Sequence, residues 1–213
     1  YGFTFEGNLV APVQDDRWMI DRTKSAGAQP WMVLTPLSSE GAFNNQLIKV
    51  LVENQELQDK LTGQMLALMQ EKGYEGVDID FEYILPENRE QYARFVARVR
   101  KTMSGYGYKV TVAVAPKVSD RQRGILVEGV DYALLGQSAD AVYLMTYEWG
   151  YTYGPPMAVA PLDKVREVVE YAVTQIQPGQ LILGIPNYGY DWTLPYERGI
   201  TRARSIGNGE AVE

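Results

Sequence analysis

Between Gly76 and Tyr83 the sequence reads GVDIDFEY, in which the carboxylates Asp78, Asp80 and Glu82 alternate with Val77, Ile79 and Phe81. Successive side chains of an extended strand point to opposite sides, so the acids share one face and the apolar residues the other. If helices cover the apolar face, the acids point inward. Crowding and partial desolvation then raise at least one of their pKa values and leave a proton to be shared. A protonated Glu82 at the end of such a strand is what a general acid needs near neutral pH. Two other readings suit the same alternation: a strand with one solvated face, and an oxygen-rich site for Mg²⁺ or Ca²⁺. The EF-hand form of the second is excluded, because Tyr83 stands where that loop needs Gly.

Composition removes most other chemistries. The 213 residues contain no Cys and no His. Thiol nucleophiles, Ser-His-Asp triads and His- or Cys-bound metals are therefore out, and proton transfer falls to Asp, Glu, Lys or Tyr. A net charge of -7 disfavours nucleic acid and anionic membrane surfaces as partners, while a neutral glycan is compatible with it. No apolar run reaches the roughly 20 residues that span a bilayer. The sequence starts at Tyr1 without Met or a signal-like segment, which suggests a piece or a processed form of a longer protein.

The elements that must position the acids follow from periodicity. Apolar, β-rich runs occur at 1–5, 30–37, 76–83, 109–116, 141–147 and 181–188. Helical patterns lie between them, over 15–26, 44–71 (with a break near Glu53-Asn54), 86–103 and 161–176. Strand alternating with helix predicts one domain over 1–213, built on a parallel sheet. No G-x-G-x-x-G follows any strand, which argues against a doubly wound nucleotide fold. In a (β/α)₈ barrel the site lies at the C-terminal strand ends, where Asp80-Phe81-Glu82, Met145-Thr146-Tyr147-Glu148 and Asn187-Tyr188 fall. Six strands do not close such a barrel. The expectation is a barrel truncated at both ends, with at least one strand before Tyr1 and one after Glu213, where the tail 205–213 reads as the start of a helix.

Residues 75–82 resemble the D-G-x-D-x-D-x-E signature of glycoside hydrolase family 18, the chitinase-like barrels, with Glu75 in place of the leading Asp. Tyr1-Gly2-Phe3 resembles that family's second-strand Y-x-F, Met145–Glu148 its sixth-strand M-x-Y-D, and Gly184–Gly189 its seventh-strand G-x-P-x-Y-G. The matches run in order over nearly the whole chain and imply strands two to seven of the barrel.

The resemblance implies that Glu82 is the general acid and base, and that Asp80 orients the substrate's 2-acetamido group. It makes Asp78 the partner sharing a proton with Asp80, and Tyr147 the hydroxyl that bonds the acetamido oxygen. The nucleophile is then the substrate's own carbonyl, which fits a chain lacking an evident second catalytic carboxylate on another strand. Met145, Glu148, Trp149, Asn187, Tyr188 and Phe3 are the implied sugar contacts; Tyr151, Tyr153, Tyr190 and Trp192 are further candidate platforms. No cofactor and no metal is implied. Three features depart from the family: Glu148 replaces Asp, the third strand (31–38) lacks S-x-G-G, and the last-strand Trp is missing. The Y-G-F-T start and Val114-Ala115-Pro116-Lys117 are similar to bacterial spore-cortex and cell-wall N-acetylglucosaminidases. The implied partner is an N-acetylglucosamine-containing polysaccharide, peptidoglycan before chitin. The implied setting is extracellular, in the wall or spore cortex, with wall-binding domains outside this chain. A non-catalytic glycan-binding barrel is the contrasting class; the intact acid at Glu82 speaks for an enzyme.

Overall fold

Asn54 cuts one long helical pattern in two. Its extended backbone ends the first helix, and its side chain accepts from the amides of Glu56 and Leu57 to start the second. The computed structural model, which describes residues 1–37 and 44–212, begins with a hairpin of β1 (Gly2–Phe3) and β2 (Leu9–Val10). Next come α1 (Arg17–Ser25), β3 (Trp31–Leu34), α2 (Asn45–Glu53), α3 (Gln55–Lys72) and β4 (Gly76–Ile79). A 3₁₀ turn at Pro86–Asn88 feeds α4 (Arg89–Ser104), followed by β5 (Lys109–Val114), α5 (Tyr132–Ser138), β6 (Ala141–Leu144), α6 (Leu162–Gln175) and β7 (Leu181–Leu183). A second hairpin pairs β8 (Tyr188–Asp191) with β9 (Arg204–Gly207).

Strands β3 to β7 form one parallel sheet in sequential order, with helical crossovers between them. This is an arc of a (β/α)₈ barrel. One face is dry: Val77, Ile79, Val110, Val112 and Val142 are fully buried beneath the helices. Phe81 continues that face beyond β4 and stacks on Tyr92 and Phe95 of α4, with ring centroids 5.6 and 5.7 Å apart. Each such side chain contributes about 1.5–3 kcal/mol on burial. On the opposite, inner face Val33, Asp78 and Thr111 stand side by side across β3, β4 and β5. Val33 and Ile182 of that face are each 41% exposed.

Four details correct the sequence expectation. The run 1–5 is not a full parallel strand. Tyr1 alone bonds along β3 (Tyr1 N to Val33 O and Thr35 N to Tyr1 O, both 2.8 Å), after which a turn at Thr4–Gly7 reverses the chain. Gly7 holds φ of 70° there, a conformation open to glycine. The run 181–188 splits at Pro186, which has no N–H for a ladder, so β7 ends early and Tyr188 starts the second hairpin. The tail is not a helix start: Ser205 and Ile206 pair with Tyr190 and Gly189 instead. The short α5 has no counterpart in the sequence pattern. Asp131 caps it by accepting from the amide of Leu134 at 2.9 Å, but seven residues carry little periodicity.

At the N-terminal strand ends, Asp16 accepts hydrogen bonds from Tyr1 Oη, from Lys72 Nζ at 2.5 Å and from Tyr74 Oη at 2.6 Å. This cluster fastens the first hairpin and α1 to the α3–β4 junction.

Candidate active site

The inward face of β4 carries Asp78 into the site, and the chain keeps its alternation beyond the strand, so Asp80 and Glu82 follow on the same side. The Asp80 amide donates to Leu34 O at 2.9 Å, which extends the ladder one residue past Ile79. Asp78 accepts a 2.5 Å hydrogen bond from Thr111 Oγ1 of β5. Burial nevertheless raises the Asp78 carboxyl above its ordinary range, against that hydrogen bond. Burial and then the charge of Asp78 push Asp80 up to about 6. Its Oδ1 is buried and has no hydrogen-bond partner among the described residues. Glu82 is raised too, first by burial and then by the charges of Asp80 and Glu148. All three acids are thus raised above their ordinary range, with Glu82 farthest along the chain from β4.

Tyr147 enters from the C-terminal end of β6. Its hydroxyl is pushed up by burial, then by the neighbouring Tyr143, with a smaller contribution from Asp80. Gly184 makes room for it: a Cβ there would lie 2.7 Å from the Tyr147 ring and 2.7 Å from Leu144 O. Thr146 Oγ1 donates to Gly184 O at 2.9 Å and ties β6 to the residue after β7. The chain turns out of the site through a left-handed residue in both places, Tyr83 after Glu82 (φ 60°) and Glu148 after Tyr147 (φ 65°). Non-glycine residues seldom adopt this conformation, and it costs on the order of 1–3 kcal/mol each.

The implied sugar contacts separate into groups. Tyr188 and Glu148 meet, Tyr188 Oη donating to Glu148 Oε1 at 3.1 Å; Tyr190 Oη donates to the same oxygen at 3.1 Å. Tyr188 also stands edge-on to Tyr147, with centroids 6.5 Å apart. Met145 is half-buried just past β6, its amide bonded to Val114 O at 3.0 Å. Trp149 is half-buried against the core and borders a cavity of about 460 Å³ between the 116–127 segment and α6. Asn187 is exposed. Phe3 is a correction: it is 3% exposed and stacks on Phe81 at 5.5 Å, so it packs the core and offers no surface to a glycan. Ser38, the end of the stretch lacking S-x-G-G, lies outside the described residues.

Two residues escaped the sequence reading. Thr111 is the one hydroxyl in the run KVTVAV, but its pairing with Asp78 needs the β4–β5 register. Tyr92 reads as core and is core, yet its buried hydroxyl is unpartnered among the described residues and feels the charges of Asp80 and Asp78.

Residues 37–210 match the sequence model of the glycosyl hydrolases family 18. The chain is 37% identical over 206 residues to a cortical fragment-lytic enzyme of Bacillus subtilis (strain 168), covering 97% of this chain and 47% of that protein. Among solved structures, the Bacillus cereus spore cortex-lytic enzyme SleL superposes with a TM-score of 0.93 at 32% identity, over 99% of this chain and 48% of that one. A chitinase from Chromobacterium violaceum gives 0.88 at 20% identity, over 100% and 66%, a likeness of fold. The chain spans about half the length of the curated relatives it matches.

Proposed function

The chain belongs to the glycosyl hydrolases family 18, and from that premise we propose that it is the catalytic part of a glycosidase acting on the N-acetylglucosamine-containing backbone of peptidoglycan, with retention. The observation that carries the reading is the graded set on β4 and its continuation: an acid at the mouth raised by burial and then by its acidic neighbours, beside a second acid at about 6 and a third bonded to Thr111.

In this mechanism Glu82 donates its proton to the glycosidic oxygen as the bond to the anomeric carbon breaks. The acetamido carbonyl oxygen of the same sugar attacks that carbon from the opposite face and forms an oxazolinium ion. Asp80 accepts from the acetamido N–H while its proton is shared with Asp78, and Tyr147 donates to the acetamido oxygen. Glu82, now a carboxylate, takes a proton from water, and that water opens the ring with the original configuration restored. An enzyme nucleophile would have to be a carboxylate about 5 Å from the acid. Glu148 acts on Glu82 through its charge, but its Oε1 is occupied by two phenols.

Peptidoglycan is favoured over chitin by relatives whose names place them on spore cortex and its fragments. The proposed setting is accordingly the wall or cortex of a bacterium. The exposed inner-face residues Val33 and Ile182 support a barrel completed by strands outside residues 1–213. The test is turnover by the parent polypeptide on cortex muropeptides and on chitooligosaccharides, with the anomer of the first product followed by NMR. Cleavage of muropeptides with a retained anomer supports the proposal. Activity on chitin alone overturns the substrate, and an inverted anomer overturns the mechanism.

A further inference from the structure

Glu148 stands where the family's motif carries Asp, and the fold shows what the longer side chain reaches. One oxygen, Oε1, accepts from both Tyr188 and Tyr190, alternate residues on one face of β8. The rings continue the contact: Tyr190 stands edge-on to Tyr188 at 5.9 Å, and Tyr188 edge-on to Tyr147 at 6.5 Å. The left-handed backbone at Glu148 turns the chain directly after Tyr147. The same hairpin is bonded to the β6–α6 segment farther out, where Trp192 Nε1 donates to Gly154 O at 2.9 Å and the Ala203 amide to Thr152 O at 2.8 Å. Near the acids, it is Glu148 that joins the hairpin to β6.

We infer that Glu148 is a positioning residue: it clamps the two β8 hydroxyls and, through the Tyr188 ring, holds Tyr147 where the acetamido oxygen must be met. The inference rests on the role proposed above for Tyr147. Oε1, which already accepts from two phenols, acts through the protein rather than on a sugar hydroxyl. The expected loss on breaking the clamp therefore falls on the chemical step rather than on glycan binding.

The test compares E148A, the double variant Y188F/Y190F, their combination, and E148Q, in which an acceptor oxygen remains. Two readouts are taken on the parent polypeptide: kcat and KM on cortex muropeptides, and amide hydrogen exchange of residues 188–191 and 204–207. E148A and Y188F/Y190F are each expected to lower kcat about tenfold, the worth of roughly one hydrogen bond in the transition state, with KM moved less than about threefold. The combined variant loses no more than E148A, because one clamp is broken twice. E148Q loses less kcat than E148A, since Gln can still accept the two phenols although it no longer carries the charge that raises Glu82. The hairpin amides exchange faster in every variant except E148Q. Additive losses, a loss confined to KM, or unchanged exchange overturns the clamp. Faster exchange in a protein that cleaves no glycan upholds the clamp and rejects the proposed function instead.

Discussion

Replacing Asp78 by Asn isolates the charge of one carboxylate with little change of shape. The amide oxygen that D78N introduces can still accept from Thr111 Oγ1, which now meets the Asp78 carboxylate at 2.5 Å. Asp80 sits at about 6 against an ordinary 3.8, a difference of about two pH units, or about 3 kcal/mol of resistance to ionisation. Burial is the larger cause and the charge of Asp78 the smaller one. The part that D78N removes is therefore less than half, below about one pH unit or about 1.4 kcal/mol. The acidic limb of kcat/KM against pH, taken to report ionisation of Asp80, should move down by several tenths of a unit and by no more than about one. The plateau should fall as well, because the shared proton has lost its second site. The assay is a profile over the acidic and neutral range on a cortex muropeptide. A limb that stays in place, or moves up, refutes the coupling between the two acids.

Three further outcomes are expected. Glu82→Gln should lower kcat by about 10²–10⁴-fold while glycan binding, measured by calorimetry, survives; normal hydrolysis by this variant would reject Glu82 as the acid, and binding without hydrolysis in the parent itself would point to the non-catalytic class. Asp16→Asn should destabilise the fold at neutral pH by about 2 kcal/mol: burial opposes ionisation of Asp16, but hydrogen bonds from Lys72, Tyr1 and Tyr74 outweigh it and hold the carboxyl down at about 2. That stabilisation is present above the ordinary 3.8 and is lost as pH falls through about 2, so urea unfolding should show parent and variant converging in that window; a gap independent of pH would show packing, not charge, at work. Gly184→Ala should lower both stability and kcat, because the new methyl meets Leu144 O and the Tyr147 ring at 2.7 Å; a thermal shift with unchanged kcat would mean that the ring is not held there.

The acids are legible in the sequence because the strand period is two and the outward residues are apolar. Val77, Ile79 and Phe81 announce which side the helices cover, and the carboxylates have only one side left. The helices are legible for similar reasons, and Asn54 marks its break by being a good cap. What escapes depends on contacts between distant segments. Thr111 lies 33 residues from its partner Asp78. Its role appears only once β4 and β5 are placed in register. The β8–β9 hairpin joins residues on either side of a long loop, and the tail reads as a helix start because short strands with exposed faces carry little pattern. Phe3 misleads for the opposite reason. A matching motif suggests a surface role, but the turn at Thr4–Gly7 sends that ring against Phe81.

The two ends of the sheet have opposite energetics. At the C-terminal end the folded state holds three carboxyls above their ordinary pKa values. A raised group contributes stability that is complete below its unfolded pKa and lost as pH rises through the folded one, so near neutrality the ionised acids work against folding. Left-handed Tyr83 and Glu148 add strain beside Glu82 and Tyr147. At the N-terminal end Asp16 is depressed to about 2 by Lys72, Tyr1 and Tyr74 and stabilises the fold at the same pH. Between them lies the dry face of Val77, Ile79, Val112, Val142 and their helices. This division, stability at one end and reactive groups at the other, is what a parallel barrel permits. It explains how a chain without His or Cys can gather three carboxyls whose pKa values lie above those they would have in water. Asp80 and Glu82, raised by burial, lie on the continuation of the same strand whose other face supplies the core.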